Sequence, residues 1–436
     1  LSEMFEIAYA TVTNRLCIFT GTGFSKAVSE NDAPSWQELL EDLCDLLPDG
    51  DEIKDSLFPK KKPALLSLEE AAQVISIKLA ANDINIHEVI AAIIDKVSLK
   101  GNYKEIESFF SSRAFRVVTT NYDNLAERLA GNEECQSIAP GFPIPRASAR
   151  VKVYHVHGST RSPENMVVTS EDYFNFINSD SYFSRKLSTV LHENTVVILG
   201  YSLGDTNLKA IISDYKGFSK SHVIGSNIFF VSRSKVNQNI KDYYAHSYGI
   251  RVLDEVDTHD FFTELNEKIP KAENIAEKSL KSLRKVVYDG MHFKDTYIKL
   301  DDSFYRIVSA LSAEGLSLND KRVVAMMGDV IDAKKKLTLA HNAWPQYEQL
   351  AGWLAYLGSI FEVKGTSIEN IYLAAVLRSM KTMRKESYTG YSWHAYKIWK
   401  KRWPSIVASN RLLIKKHIEA ETAWPDALAV VNSLGS

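Results

Sequence analysis

Cys17-Ile18-Phe19-Thr20-Gly21-Thr22-Gly23-Phe24-Ser25-Lys26-Ala27 reads as a short apolar strand that breaks at a glycine turn and continues as a helix. Strand, turn and helix in that order suit a pyrophosphate. Glycines let the backbone turn tightly and approach a ligand, while the N–H groups and the positive dipole end of the helix face the anion. The third glycine of the usual dinucleotide fingerprint is missing at its expected spacing, so a purely structural turn is the competing reading.

Further short apolar runs recur along the chain with helical stretches between them. The candidate strands are Leu16 to Thr20, Arg116 to Thr120, Lys152 to Val156, Thr195 to Leu199, Asn227 to Val231 and Ile250 to Leu253. Buried parallel strands that alternate with covering helices give this pattern, which predicts a Rossmann-like α/β parallel sheet. Between the first two strands, Leu39, Leu40, Leu43, Ala71, Val74, Ile75 and Leu79 fall at helical steps, so Trp36 to Phe110 is a helical insertion. A second insertion, Arg161 to Asn194, contains Thr169-Ser170-Glu171-Asp172-Tyr173, where Thr169 or Ser170 can cap a helix with acidic residues in its first turn.

Strand signals fade after about Val256, and a charged helical stretch from Phe261 to Val287 follows. From Asp301 onward the apolar spacing is helical, and six of the seven tryptophans lie there. Two domains are expected: residues 1–275 carrying the sheet, and residues 276–436 forming an all-α C-terminal domain. Near Trp393, Tyr396, Trp399 and Trp403 stand Lys397, Lys400, Lys401 and Arg402, a composition compatible with nucleic acid. Aromatics at helical spacing are more often core or interface, with the basic residues on the wet face, and that reading is preferred.

A net charge of −2 gives no global pull toward nucleic acid or acidic membranes. Three cysteines, Cys17, Cys44 and Cys135, are odd in number and widely separated, which argues against a disulfide framework and fits a reducing cytoplasm. No apolar run approaches the roughly 18 residues that span a bilayer, so no membrane association is expected.

Three more stretches carry polar residues at strand ends, where open α/β sheets bind ligands. Thr119-Thr120-Asn121-Tyr122-Asp123 closes a β-branched run, and Asp123 can also cap the helix that follows. His155-Val156-His157-Gly158 closes another; alternation would put both histidines on one face, and a histidine there can act as a general base. Gly200-Tyr201-Ser202-Leu203-Gly204-Asp205 follows a third and can cradle a ribose or phosphate, while Asp205 can instead begin a helix. Phe229-Phe230-Val231 ends similarly in Ser232-Arg233.

In order, Gly21-Thr22-Gly23-Phe24-Ser25, Thr120-Asn121-Tyr122-Asp123, His157-Gly158 and Gly200-Tyr201-Ser202 resemble the sirtuin signature series in its bacterial defence branch. Pro34-Ser35-Trp36 and Glu171-Asp172-Tyr173 look like further features of that branch, and the resemblance covers about residues 10 to 255. It implies a domain that binds NAD, with Asn121 and His157 required for activity and Asp123 opposing positive charge. Gly21, Thr22, Gly23 and Ser25 would hold the pyrophosphate, with Thr120, Gly200 and Tyr201 beside it and Ser202 and Ser232 near the adenosine ribose. Protein-deacylating sirtuins carry a zinc module of two cysteine pairs, which three unpaired cysteines cannot build. Thr120-Asn121-Tyr122-Asp123 is similar to NAD-hydrolysing relatives rather than to the Gln-Asn-Ile-Asp form of deacylases. The resemblance thus implies an NAD hydrolase with NAD as substrate and no metal requirement, acting in anti-phage defence. A homo-oligomer and a HerA-type ATPase partner are expected on the same ground. An NAD-dependent deacylase or ADP-ribosyltransferase, and a non-catalytic NAD or ADP-ribose sensor, remain the competing readings.

Overall fold

The computed structural model describes residues 3–433 except 61, 145–147, 179–181, 203–227 and 317–319. Its centre is a seven-stranded, wholly parallel sheet: β1 (Leu16–Thr20), β2 (Phe115–Thr119), β3 (Cys135–Ile138), β4 (Val151–His155), β5 (Thr195–Leu199), β6 (Ile228–Ser232) and β7 (Ile250–Asp254). The spatial order is β3-β4-β2-β1-β5-β6-β7. Six of these strands match the apolar runs to within a residue or so, Asn227 lying outside the described residues. Strand β3 escaped the sequence reading because Cys135-Gln136-Ser137-Ile138 is short and half polar, as an edge strand with a single neighbour can be.

Sequence order reverses at β1, which has β2 on one side and β5 on the other; this is the switch point where parallel sheets open a crevice beyond their carboxyl ends. Register aligns those ends. Thr20 lies opposite Thr119 and Leu199, and Thr119 opposite His155, so the segments after β1, β2, β4 and β5 emerge at one level. Strands β1 and β5 are buried along their whole length, as central parallel strands covered on both faces must be.

Alternation sends Leu16 and Ile18 into one hydrophobic layer and Cys17 and Phe19 into the other. The first insertion folds as α3 to α6 in the series α1 (Glu3–Val12), α2 (Thr22–Val28), α3 (Trp36–Cys44), α4 (Gly50–Leu57), α5 (Leu68–Ala80), α6 (Ile86–Ile94) and α7 (Lys104–Ser112). It has its own core, in which Leu40, Leu43, Ile75, Leu79 and Ile90 are fully buried and which Met166 and Val168 join. Capping boxes at Ser35 with Glu38 and at Ser67 with Glu70 start α3 and α5. Beyond β2 come α8 (Leu125–Ala130), α9 (Ser170–Asn178) and α10 (Tyr182–Glu193). Thr169 caps α9: its hydroxyl accepts from Asp172 N at 3.2 Å, and its own N–H donates to Asp172 at 2.9 Å.

Residues beyond β7 are helical, beginning with one long helix, Thr258–Asp289. The division expected at residue 275 falls inside this helix. Its early residues Phe261, Phe262 and Leu265 cover the sheet, and the same unbroken layer continues through Leu283 and Val287 to Phe304, Ile307 and Trp353. Trp399 and Trp403 are buried, whereas Lys400 and Lys401 are exposed, which is the core-and-wet-face arrangement read from their spacing. Helix α1 joins the two regions. Its Tyr9 hydroxyl lies 2.8 Å from Ser279 Oγ, and its Glu6 carboxylate takes a two-pronged ion pair from Arg251 of β7 and a 2.6 Å hydrogen bond from the Tyr356 hydroxyl. Among the described residues no helix is long and apolar enough to cross a membrane.

Removing one member of this partly buried ion pair strands its partner's charge. Glu6→Ala should therefore destabilise the chain by about 3 kcal/mol in urea unfolding, and adding Arg251→Met should restore most of that loss. Equal stability of Glu6→Ala and the parent would remove this contact from the account of how the two regions are held.

Candidate active site

The close approach of two loop backbones builds the site. After β1, Gly21 N–H donates to Leu199 O at 2.9 Å and Gly23 N–H to Gly200 O at 2.9 Å. A Cβ on Gly23 would meet Gly200 Cα at 2.8 Å, and one on Gly200, whose φ is +75°, would meet Phe24 N at 2.2 Å. The sequence reading had the glycine N–H groups facing an anion; at Gly21 and Gly23 they are instead spent on the neighbouring β5 loop. These glycines serve contact between loops, which nothing larger permits.

Ser25, expected at the pyrophosphate, is the hub of a polar bridge. Its hydroxyl donates to Asp123 Oδ2 at 2.7 Å and accepts from Asn121 Nδ2 at 2.8 Å. Asp123 Oδ1 accepts from Leu125 N at 3.1 Å, so Asp123 holds the first N–H of α8 from the residue before its N-cap, Asn124. Burial raises the Asp123 carboxyl above the usual carboxylate range, against the lowering effect of the Ser25 bond. The Asn121 backbone is fixed as well: its N–H donates to Thr119 Oγ1 at 3.0 Å. The Thr120 hydroxyl lies 2.5 Å from that of Tyr201.

A cavity of about 270 Å³ opens beyond these strand ends. Thr22, Ser25, Thr120, Asn121, Asp123, His157, Gly200, Tyr201 and Ser202 all line it. A second, larger groove lies past Gly200-Tyr201-Ser202, where Gly23 and Ser232 are found with Arg233 and His259. Gly21 lines neither, being packed under the Tyr201 ring. Leu203, Gly204 and Asp205 lie outside the described residues.

The two histidines part company. Strand pairing ends at His155, so alternation no longer governs His157, which sits in the turn beyond. His155 points to the layer of α8, with Nε2 2.7 Å from Glu127 Oε1 and Nδ1 3.1 Å from Asn121 O. His157 instead reaches the cavity, edge-on to Tyr173 and Phe176 of α9 at centroid distances of 5.4 and 5.2 Å. The expectation that both share one face is thereby corrected. His157 is 7% exposed, and its Nε2 has no hydrogen-bond partner. Burial depresses its basicity to about pKa 4, so the ring is neutral at pH 7. For His155 burial acts in the same direction, but the charge and hydrogen bond of Glu127 outweigh it and its pKa is raised.

Several lining residues come from the insertions. Trp36, Leu39, Glu69, Ile94 and Val97 contribute from the first, and Val167, Val168 and Tyr173 from the second. The Tyr122 hydroxyl clamps the second insertion by donating to Val167 O at 2.5 Å, and its ring meets Trp36 edge-on. The motifs at Trp36 and Tyr173 had signalled those two positions; for Glu69 no sequence signal exists.

A parallel sheet with glycine-bearing loops interlocked at its switch point, and polar residues from successive strand ends around one cavity, defines a Rossmann-like fold with a candidate ligand site at its switch point. Residues 116–253 match the family described as SIR2-like domain. It is 31% identical over 203 residues to NAD(+) hydrolase ThsA of Bacillus cereus (strain MSX-D12), covering 45% of this chain and 39% of that protein. To NAD(+) hydrolase ThsA of Enterococcus faecium it is 23% identical over 385 residues, 85% of this chain and 69% of the relative. To Defense-associated sirtuin 2 of Bacillus subtilis it is 22% identical over 254 residues, 57% of this chain and 24% of that protein. The chain thus spans less than half the length of two of these three curated relatives.

Because contact at Gly200 is backbone to backbone, Gly200→Ala should destabilise the fold by at least about 2 kcal/mol. Gly131→Ala, with φ of +83° but open space around it, should show only the strain component. Thermal unfolding of the two variants distinguishes the contributions; equal losses would mean that loop contact is not limiting.

Proposed function

We propose that the chain is an NAD+ glycohydrolase, converting NAD+ and water into nicotinamide, ADP-ribose and a proton, and that it acts in anti-phage defence by depleting NAD. The observation that carries this reading is the buried, unpartnered Nε2 of His157 in the cavity that Asn121 also lines. Buried polar atoms are almost always satisfied, and one aimed at a cavity is satisfied by what the cavity takes up. The SIR2-like match and the names of the relatives support NAD as that ligand. Its nicotinamide end would occupy the smaller cavity and its adenosine end the groove past Tyr201.

The bond between nicotinamide and ribose breaks as its electron pair leaves with the pyridine nitrogen, which departs neutral. Positive charge is left on the sugar as an oxocarbenium ion. Water then adds at the ribose carbon, and the adduct is so strong an acid that a weak base can take its proton. His157 suits that task, being neutral, buried and without a hydrogen-bond partner at Nε2. With Nδ2 of Asn121 held by Ser25, its amide carbonyl is the end available to orient the water or a ribose hydroxyl. Asp123 lines the same cavity with its Oδ2 held by the Ser25 hydroxyl, and in its ionised form it opposes the positive charge on the sugar. Self-association, and a HerA-type ATPase partner engaging the helical region, belong to the same proposal and rest on the family resemblance.

Asn121→Ala should lower NAD turnover by on the order of 10²-fold with an unchanged melting temperature, since a preorganised polar contact in the transition state has that magnitude. The test is release of nicotinamide and ADP-ribose from NAD by the purified chain, alone and with candidate activators. Consumption only in the presence of an acylated or acceptor protein would replace hydrolysis by group transfer. If His157 is the base, the acid limb of kcat/KM falls near pH 4, below which its ring is protonated, instead of near the ordinary histidine value of 6.5. An acid limb at 6.5 that persists in His157→Ala would assign the base elsewhere.

A further inference from the structure

His155 and Glu127 take no part in the reaction as derived above, yet they form a buried charged pair directly behind the loop that carries Asn121. His155 is 1% exposed and Glu127 8% exposed. The imidazole bridges two oxygen acceptors: Glu127 Oε1 at 2.7 Å from Nε2, and the backbone carbonyl of Asn121 at 3.1 Å from Nδ1. Neither acceptor can supply a proton while Glu127 is ionised. A neutral imidazole has a single N–H and would set a lone pair against one of them, so both contacts are attractive only in the imidazolium form.

We propose that Glu127 and His155 are positioning residues: Glu127 on α8 holds His155 doubly protonated, and His155 fixes the Asn121 peptide through its carbonyl, setting the side chain of Asn121 at the cavity. The inference rests on the role proposed for Asn121 and deepens it. The peptide is gripped at both ends, because its neighbouring N–H is taken by Thr119 Oγ1. Ser25 grips the side chain, so backbone and amide of Asn121 are located from separate elements, β4 and α2. A pair whose purpose was to fill the core would be more stable as two apolar side chains. Here instead a carboxylate is kept in the core, with its Oε1 2.7 Å from His155 Nε2 and the Ser137 hydroxyl also acting on it.

Loss of one proton from His155 would remove the donor at Nδ1, since Glu127 retains the proton at Nε2, and would free the Asn121 carbonyl. The ionisable groups facing this imidazole are Glu127 and, from the loop after β2, Asp123. Behind Glu127 stands Cys135 of β3, beside Arg150. Both carboxylates favour the charged ring, so the lapse lies on the alkaline side of ordinary histidine titration.

Two substitutions divide the contacts between them. In His155→Asn the amide nitrogen stands the same number of bonds from Cβ as Nδ1 and can still donate to the Asn121 carbonyl. In His155→Gln the nitrogen matches Nε2 and retains only Glu127. The expected result is a kcat within about threefold of the parent for His155→Asn, and about 10- to 100-fold lower for His155→Gln, as misplacement of a reacting group has that scale. KM should change little in either, and the alkaline limb of the parental kcat should vanish in His155→Asn. Parental kcat in His155→Gln, or equal losses in both variants, would overturn the proposal.

A second reading uses the unsubstituted full chain and no turnover. With carbonyl-13C asparagine and amide-15N tyrosine, the Asn121–Tyr122 correlation is observed by NMR, and substitution of Asn102 separates it from the Asn102–Tyr103 pair. Its carbonyl shift should show a titration step above pH 6.5 that is absent in His155→Gln. A flat carbonyl shift, or an unaltered step in the variant, refutes the positioning. A chain that cleaves no NAD but shows the step refutes the hydrolase reading alone.

Discussion

Contact between the β1 and β5 loops is the constraint to which the rest of the site is referred. Gly23 and Gly200 allow two backbones to touch, and two N–H groups that could have faced a ligand are spent in locking them. Once these loops are fixed, α2 starts in one place and carries Ser25 to the end of β2. From there a hydrogen-bonded bridge reaches Asn121 and Asp123. Backbone geometry at two glycines thus determines where a side chain from a distant strand is held.

The electrostatics of the site follow from different degrees of pairing at similar burial. His155 and His157 are two residues apart and both are buried, yet the pKa of the first is raised and that of the second is lowered. Glu127 makes the difference, because a buried ring without a counter-charge gives up its proton. The His155 ring serves the backbone. His157, which lines the cavity, keeps a nitrogen without a hydrogen-bond partner.

Much of the cavity wall belongs to the insertions. Trp36, Ile94 and Tyr173 come from helices that a plain strand-helix-strand unit would lack, and Tyr122 ties one of these walls to the strand-end loop. On the opposite side, α1 and the long helix Thr258–Asp289 join the sheet to the helical region through a common apolar layer and the Glu6–Arg251–Tyr356 cluster.

Sequence alone determined the parallel sheet, because a strand buried on both faces must be apolar throughout and ends visibly where polar residues begin. Edge strand β3 was invisible for the converse reason, since having one neighbour demands little of its composition. The motifs at Gly21, Asn121, His157 and Gly200 were legible as strand ends, and their order carried the family resemblance. What each of them touches was settled only in three dimensions. Ser25 as a bridge, the engaged glycine N–H groups, Glu69 in the wall and the separate fates of His155 and His157 all depend on partners dozens of residues away. Local spacing tells which residues leave a strand together, whereas hydrogen bonding and charge depend on what the fold then brings beside them.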